Sequence, residues 1–203
     1  MVRFRDRREA GRRLAGLLAG EAGPRTTVLG LPRGGVVVAA EVARALGAPL
    51  DVLVVRKLGS PSMPEFALGA IAEGGVVHTT RGSLRGLEEV LRRETAELER
   101  RVRRFRGGRP PPDLRGRTAI LVDDGIATGS TVQAAVRAAR QLGADRVVVA
   151  APVVAPQSAE ALGEVADAVV FVDAPEPFLA VGAFYDDFTQ VEDDEVTRAL
   201  APR

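Results

Sequence analysis

The chain has 203 residues, a formal net charge of +1 and no cysteine. The lack of cysteine excludes disulfides and thiolate metal sites, and the near-neutral charge gives no sign of a nucleic-acid partner. No apolar run approaches the roughly 20 residues that cross a bilayer, and no apolar signal-peptide segment follows the charged N-terminus. With 46% hydrophobic and 27% charged residues, we expect one soluble domain over residues 1–203, located in the cytoplasm without a membrane partner.

The first part of the chain alternates predicted helices and strands. The spacing of apolar residues predicts a helix over residues 7–20. A short apolar strand at 26–29 is followed by a helix over 36–46, which stops at a glycine, and by a second strand at 50–55. Strand, helix and strand in this order imply a parallel crossover.

The pattern changes between residues 58 and 117, which we interpret as an insertion. Residues 58–64 are rich in glycine, serine and proline, which is typical of a mobile loop. Two apolar segments around Glu73-Gly74-Gly75 predict a hairpin. A long charged helix with one apolar stripe is predicted over 84–106, and that stripe favours packing or a dimer contact over ligand chemistry.

Regular alternation resumes after the insertion. The remaining predicted strands are at 118–122, 146–150 and 168–172, and the remaining helices at 130–142 and 156–163. Five short apolar strands separated by helices predict an α/β fold with a doubly wound, mostly parallel five-stranded sheet. The C-terminal segment over residues 174–203 differs in composition and is expected to form a small separate hood.

Residues 122–131 read Val-Asp-Asp-Gly-Ile-Ala-Thr-Gly-Ser-Thr and are the most informative segment. Asp123 and Asp124 stand at the carboxyl end of a buried strand, where open α/β sheets bind ligands. Two carboxylates there can accept hydrogen bonds from the vicinal hydroxyls of a ribose. The small residues that follow let backbone N–H groups and a helix N-terminus approach a phosphate. The pattern indicates a 5-phosphoribosyl site; the competing interpretation is a capped turn with two exposed acids.

This order of strand, two acids, small residues and Thr-Gly-Ser-Thr resembles the signature of the type I phosphoribosyltransferases. The resemblance implies that the chain binds 5-phosphoribosyl-1-pyrophosphate (PRPP) and that Asp123 and Asp124 hold the ribose hydroxyls. The residues expected to complete PRPP binding, mainly around its 5′-phosphate, are Gly125, Ile126, Ala127, Thr128, Gly129, Ser130 and Thr131. Mg²⁺ is the implied cofactor, held by PRPP oxygens and water, with the two acids contacting it at most through water.

A second loop is the candidate for the pyrophosphate end of PRPP. Arg33, Gly34 and Gly35 follow the first strand, where free backbone N–H groups and a guanidinium suit an anion. The family places its pyrophosphate loop at this point and often has a cis peptide before the two glycines. We therefore expect a cis bond between Pro32 and Arg33.

Arg56 and Lys57 follow the second predicted strand and add two cations at the same edge of the sheet. Lys57 is the only lysine of the chain, and its place suits contact with the leaving pyrophosphate. We take Lys57, Asp123 and Asp124 as the candidate catalytic residues.

The acceptor side is less defined by the sequence. Four of the chain's few aromatic residues lie within 178–188, and Tyr185 and Phe184 are candidates for stacking on a nitrogenous base. The alternative is that these aromatics form the small core of the C-terminal segment. The acids at 192–195 are interpreted as the start of a helix and not as a metal site.

One position departs from part of the family. Phosphoribosyltransferases that act on 6-oxopurines typically have an aspartate where this chain has Ala127, so the resemblance at this position is closer to adenine and uracil phosphoribosyltransferases. The expected activity is transfer to an unnamed small acceptor, with a homodimer as a candidate assembly. A regulatory protein that binds PRPP with little turnover is the alternative, and a hydrolytic use of the fold is a third.

Overall fold

A computed structural model of the chain describes residues 2–59, 67–79 and 86–201. The helices are α1 (Arg7–Leu17), α2 (Gly34–Leu46), α3 (Glu88–Arg106), α4 (Ser130–Gln141), α5 (Pro156–Gly163) and α6 (Asp193–Leu200). The strands are β1 (Thr26–Gly30), β2 (Leu50–Val52), β3 (Val55–Gly59), β4 (Ala67–Ala72), β5 (Val76–Thr79), β6 (Thr118–Val122), β7 (Arg146–Val153) and β8 (Ala168–Asp173).

The main sheet has five parallel strands in the order β2-β1-β6-β7-β8. The chain winds outward from β1 to β2 and then, after the insertion, from β6 in the opposite direction to β7 and β8. The reversal places the carboxyl ends of β1 and β6 side by side, which is the switch point where doubly wound sheets bind ligands. The predicted fold class is confirmed.

Both faces of the sheet are covered by helices. On one face, α1 and α2 bury aliphatic residues against β1, β6 and β7, among them Leu14, Val38 and Ile120. On the other face, α4 and α5 cover a second core that includes Leu121, Val136 and Leu162. With apolar contacts on both faces, β6 is apolar and buried from Ala119 to Val122, which explains its hydrophobic run.

The prediction of a single strand over residues 50–55 is wrong, because the structure has two strands there. β2 ends at Val52 in the parallel sheet, and β3 begins at Val55 in a separate antiparallel sheet of order β3-β4-β5. Arg56 and Lys57 therefore lie within β3 and not at the end of a strand of the main sheet. The apolar run continues through Leu53 and Val54, both fully buried, so hydrophobicity alone does not reveal the break.

The predicted hairpin around residues 73–75 is confirmed as β4 and β5 joined by a 3₁₀ turn. The loop predicted over 58–64 and the first residues of the helix predicted at 84 lie largely outside the described residues. α3 begins at Glu88, and its apolar stripe packs against α2, α6 and the small sheet through Val90, Leu98 and Phe105.

A buried ion pair ties the small sheet to the last turn of α3. The side chain of Arg106, 1% exposed, donates to the carboxylate of Glu73 at 2.8 Å and to the carbonyl of Val52 at 2.6 Å. The same Glu73 carboxylate accepts a hydrogen bond from the Val54 amide at 3.0 Å. The insertion is thereby anchored where the chain leaves the main sheet.

The hood is built from both ends of the chain. Phe4 donates its amide to the carbonyl of Phe184 and accepts from the amide of Asp186, each at 2.8 Å. Phe4, Phe184 and Tyr185 form a small buried core with Val153 of β7. The acids at 192–195 lie at the start of α6, as predicted. Within the described part of the chain, no helix is long and apolar enough to span a membrane.

Candidate functional site

Two loops meet at the carboxyl ends of β1 and β6. The amide of Leu31 donates to the carbonyl of Val122 at 2.8 Å, which holds the loop after β1 against the end of β6. The peptide bond between Pro32 and Arg33 is cis, as predicted. An added Cβ at Gly35 would lie 2.6 Å from the Val122 carbonyl, and one at Gly34 would lie 1.9 Å from an Asp124 oxygen. Glycine is therefore required at positions 34 and 35 for this loop to lie so close to Asp124 and to the end of β6.

Asp123 lies at the centre of the site. Its Oδ1 accepts a hydrogen bond from the amide of Asp124 at 2.9 Å, which fixes the carboxylate at the strand end. Burial raises the pKa of Asp123 well above its usual range, the adjacent Asp124 carboxylate raises this pKa further, and the Lys57 ammonium opposes the shift. Lys57 and Asp123 line the same surface recess, so β3 of the small sheet brings its cation to the functional edge of the main sheet.

Asp124 is held by residues from both ends of the chain. Nε of Arg7 donates to its Oδ2 at 2.7 Å, with only 10% of the Arg7 side chain and 16% of the Asp124 side chain exposed. The Tyr185 hydroxyl donates to the backbone carbonyl of Asp124 at 2.6 Å. Burial raises the pKa of Tyr185, so the hydroxyl stays protonated and keeps this donor. The two bonds fix the position of the second acid.

Residues 125–131 form a loop that opens toward solvent. Ile126 is buried and pairs with Val154, while Ala127 and Thr128 are exposed. The carbonyl of Ala127 accepts from the Ser158 hydroxyl at 2.6 Å, which ties the loop to α5. Gly129 caps α4 with a φ of 70°, a left-handed conformation that favours glycine. Thr128 and the amides at the start of α4 are thereby presented together, as a phosphate site requires.

Two hollows with shared lining residues lie beside these loops. A recess of about 170 Å³ is lined by Lys57, Asp123, Val132, Val181 and the loop from Gly125 to Thr131, except for its Ser130. A larger cleft of about 500 Å³ shares Lys57, Asp123 and Thr131 with the recess. Its other lining residues are Pro32, Val55, Arg56, Gly59 and, on α3, Val90, Arg93, Glu94 and Arg101. Lys57 thus lines the same recess as the candidate phosphate loop, and it also lines the larger cleft.

A family model described as the phosphoribosyl transferase domain matches residues 6–182. The chain belongs to the type I phosphoribosyltransferase family.

The relatives found cover the chain almost completely. A Mycobacterium tuberculosis protein provisionally named a phosphoribosyl transferase is 50% identical over 207 aligned positions, which cover 98% of the chain. The alignment covers 47% of that relative, so the chain spans about half the relative's length. The crystal structure of the protein TT1426 from Thermus thermophilus matches with 48% identity, a TM-score of 0.85 and 98% coverage of both chains.

A more distant neighbour shares the fold alone. The purine phosphoribosyltransferase from Pyrococcus horikoshii superposes with a TM-score of 0.52 at 20% identity, covering 90% of each chain. The similarity at this low identity is in the arrangement of strands and helices around the switch point.

Two of the arginines predicted to bind PRPP already have carboxylate partners. Nη1 of Arg33 lies 3.8 Å from carboxylate oxygens of Glu192 and Asp193, so its side chain is directed toward the start of α6. Arg56 donates to Glu94 of α3 through Nε at 3.0 Å and Nη2 at 2.7 Å. Arg56 remains on the cleft wall, whereas Arg33 does not line either hollow.

The base-stacking roles expected of Phe184 and Tyr185 are not supported by the packing. Phe184 is 2% exposed and Tyr185 is 4% exposed. Phe184 stacks on Phe178, and Tyr185 on Phe4 and Phe188. Their rings form the core of the hood, which is the alternative that the sequence left open.

The apolar wall of the recess is formed instead by Val181. This side chain lies directly over Gly125, where an added Cβ would come within 2.3 Å of Val181 Cγ1. Arg7 and Val181 are the residues that the sequence did not single out. Both come from hood segments far from the motif in the chain, and one arginine among many, or one valine, carries no local signal.

Proposed function

We propose that the chain transfers a 5-phosphoribosyl group from PRPP to a nitrogenous acceptor and releases pyrophosphate. Family membership supports phosphoribosyl transfer in general. The observation that carries the proposal is that Asp123 and Lys57 line both hollows, with Thr128 and Thr131 beside them in the recess. A carboxylate for the ribose hydroxyls, hydroxyl donors for the phosphate and a cation for the pyrophosphate therefore lie next to one another, as PRPP binding requires.

The ribose 5-phosphate end would occupy the recess. Asp123 and Asp124 would accept hydrogen bonds from the 2′- and 3′-hydroxyls, with Asp124 oriented by Arg7 and Tyr185. The phosphate would lie on the amides and hydroxyls of the Thr128–Thr131 loop, at the N-terminus of α4. The volume of about 170 Å³ suits a group of this size.

The pyrophosphate end would extend into the larger cleft, past Lys57 and the loop at Gly34 and Gly35. Mg²⁺ fits this arrangement only as a metal that takes most of its ligands from PRPP and water. Across residues 2–59, 67–79 and 86–201, no cluster of three or more acidic, histidine or cysteine side chains could hold a metal. Asp123 and Asp124 would contact the hydrated ion, which would neutralise charge on the leaving group.

The reaction would replace one bond at C1 of the ribose by another. The bond from C1 to the pyrophosphate oxygen breaks and its electron pair leaves with the pyrophosphate. A ring nitrogen of the acceptor bonds to C1, and its proton passes to the departing pyrophosphate. Positive charge develops on the sugar ring, so fixed carboxylates below it and a cation at the leaving group favour the transition state.

The acceptor would enter beside Val181 and Ala127. Val181 supplies an apolar surface over Gly125, and the side chain of Ala127 cannot exchange a proton. These two residues favour a flat heterocycle whose attacking nitrogen needs no carboxylate at this position, and they disfavour 6-oxopurines.

The proposal is tested by incubating the protein with PRPP, Mg²⁺ and a panel of bases, and by measuring pyrophosphate release. The panel includes adenine, uracil, hypoxanthine and guanine. Base-dependent release supports the transferase, and we expect hypoxanthine and guanine to be poor acceptors. Tight PRPP binding without release for any base would support a PRPP-binding regulator, and lack of PRPP binding would contradict both functions.

A further inference from the structure

The insertion helix α3 forms one wall of the large cleft. Val90, Arg93, Glu94 and Arg101 of α3 face the same space as Lys57, Pro32 and Thr131. These α3 positions are separated by one and two helical turns, so they lie along one side of the helix. Pro32, in the loop that precedes Gly34, lines the same cleft. α3 therefore borders the cleft in addition to packing against the rest of the protein.

Arginines outnumber carboxylates on this wall. Glu94 is shared by Arg56 at 2.7 Å and Arg93 at 3.2 Å. Glu97 is shared by Arg100 at 2.7 Å and Arg101 at 2.8 Å, and these hydrogen bonds lower the pKa of Glu97 to about 2. Each carboxylate therefore compensates one of its two arginines, and the cleft keeps an excess of positive charge beside Lys57.

Arg93 and Arg101 also have further N–H donors on their guanidinium groups. In the described residues, each uses Nε for its carboxylate partner, which leaves the terminal nitrogens of the guanidinium for a ligand. A guanidinium in this state is suited to a phosphate, because two of its N–H groups can bind two oxygens at once. Arg101, with 22% of its side chain exposed, lies deeper in the cleft than Arg93 at 66%.

The backbone of α3 is held firmly enough to position these donors. Leu98 and Phe105 are buried against α2 and α6, and the Arg106–Glu73 ion pair fixes the last turn. Binding a ligand therefore requires ordering of two side chains and not of the whole helix, which keeps the entropic cost small.

We infer that Arg93 and Arg101 bind the pyrophosphate group of PRPP, so that the insertion helix supplies part of the leaving-group site. This inference rests on the proposed function and assigns the ligand of one cleft wall. A diphosphate carries anionic oxygens along its length, and those that face α3 would meet the side of the cleft that Arg93 and Arg101 line. The two arginines would bind there in addition to Lys57 and the hydrated Mg²⁺.

The experiment compares two ligands that differ only in the pyrophosphate group. PRPP and ribose 5-phosphate are titrated, both with Mg²⁺, into the wild type and the variant R93A/R101A by calorimetry. We expect the variant to bind PRPP roughly tenfold to a hundredfold more weakly, since two charge-assisted contacts are lost. Ribose 5-phosphate, which does not reach α3, should change by less than about twofold.

The matched control is R92A/R103A. It removes the same charge from the same helix, but Arg92 and Arg103 are 76% and 71% exposed, pair with other glutamates, and do not line the cleft. We expect wild-type binding of both ligands. Equal loss of PRPP binding in both double variants would show a diffuse charge effect and overturn the inference.

Three other results would also overturn the inference, and they are distinguishable. Loss of ribose 5-phosphate binding in R93A/R101A would show a general structural role. Unchanged PRPP affinity in that variant, with strong binding in the wild type, would overturn this inference alone. A wild type that binds neither ligand would overturn the proposed function as well.

Discussion

The guanidinium of Arg7 and the carboxylate of Asp124 form an ion pair 2.7 Å long between residues 117 positions apart. Arg7 also donates to the carbonyl of Thr189 at 2.8 Å and lies over the ring of Phe188, 3.9 Å from its centroid. One side chain therefore joins the N-terminal helix, the C-terminal segment and the second acid of the motif.

Replacing Arg7 by alanine should weaken PRPP binding by about tenfold, because Asp124 loses the donor that orients it. R7K should recover only part of the affinity. An ammonium cannot stack on Phe188 while it donates to both the Asp124 carboxylate and the Thr189 carbonyl, as the guanidinium does. PRPP titration measures the effect, and R12A is the control because Arg12 is half exposed on the same helix and remote from the motif. Equal binding by R7A and the wild type would contradict the positioning role.

Gly34→Ala should abolish most PRPP binding, although it adds a single methyl group. The new Cβ would lie 1.9 Å from Oδ2 of Asp124 and 2.7 Å from Nε of Arg7, so the ion pair must move. The control is Gly16→Ala in α1, where an added Cβ meets nothing within 4 Å. That control should be stabilising by about 0.5–1 kcal/mol in thermal denaturation. A G34A variant that binds PRPP normally would show that the loop is not held as described.

Asp123→Asn should lower PRPP binding and raise stability. The folded protein raises the pKa of Asp123 above 3.8, its usual value. Folding therefore favours the neutral carboxyl. Above the unfolded-state pKa, the free energy of unfolding decreases as the pH rises toward the folded-state pKa. We expect a gain of about 1 kcal/mol at pH 7, or ~2–4 °C in Tm for a chain of this size.

Comparing melting temperatures at pH 5 and pH 8 checks the sign. Burial also raises the pKa of Glu73, so Glu73 likewise lowers the stability of the protein as the pH rises. The variant is therefore compared with the wild type at each pH. D123N should show a smaller loss of stability toward pH 8. D124N is the contrasting variant: it leaves Arg7 without its partner and should be destabilising by roughly 1–3 kcal/mol. A less stable D123N would refute the assignment of a buried, disfavoured charge.

Arg106→Ala should destabilise the protein by roughly 3–5 kcal/mol, because it leaves Glu73 charged, buried and without its guanidinium. Urea denaturation measures the loss. Arg103→Ala is the control three residues earlier in α3, and at 71% exposure it should change stability by less than about 0.5 kcal/mol. Similar midpoints for the two variants would contradict the structural role of the buried pair.

The sequence by itself determined the parts of this protein that depend on neighbouring residues. The apolar run at 118–122, the two acids after it and the small residues up to the start of α4 follow one another in the chain, and each has a local physical meaning. The glycines at 34 and 35 and the turn at 73–75 are likewise local. These features were sufficient to predict the sheet, the family and the centre of the site.

Only the tertiary structure decided which distant residues reach that centre. Arg7 pairs with Asp124, Val181 covers Gly125, and Tyr185 is buried as a donor to a backbone carbonyl and not exposed for stacking. Because β2 and β3 belong to different sheets, Lys57 lies on the small sheet and not on the main one. These outcomes depend on how the insertion and the two chain ends pack against the main sheet. Composition and periodicity do not encode that packing, because many arginines and valines are locally equivalent.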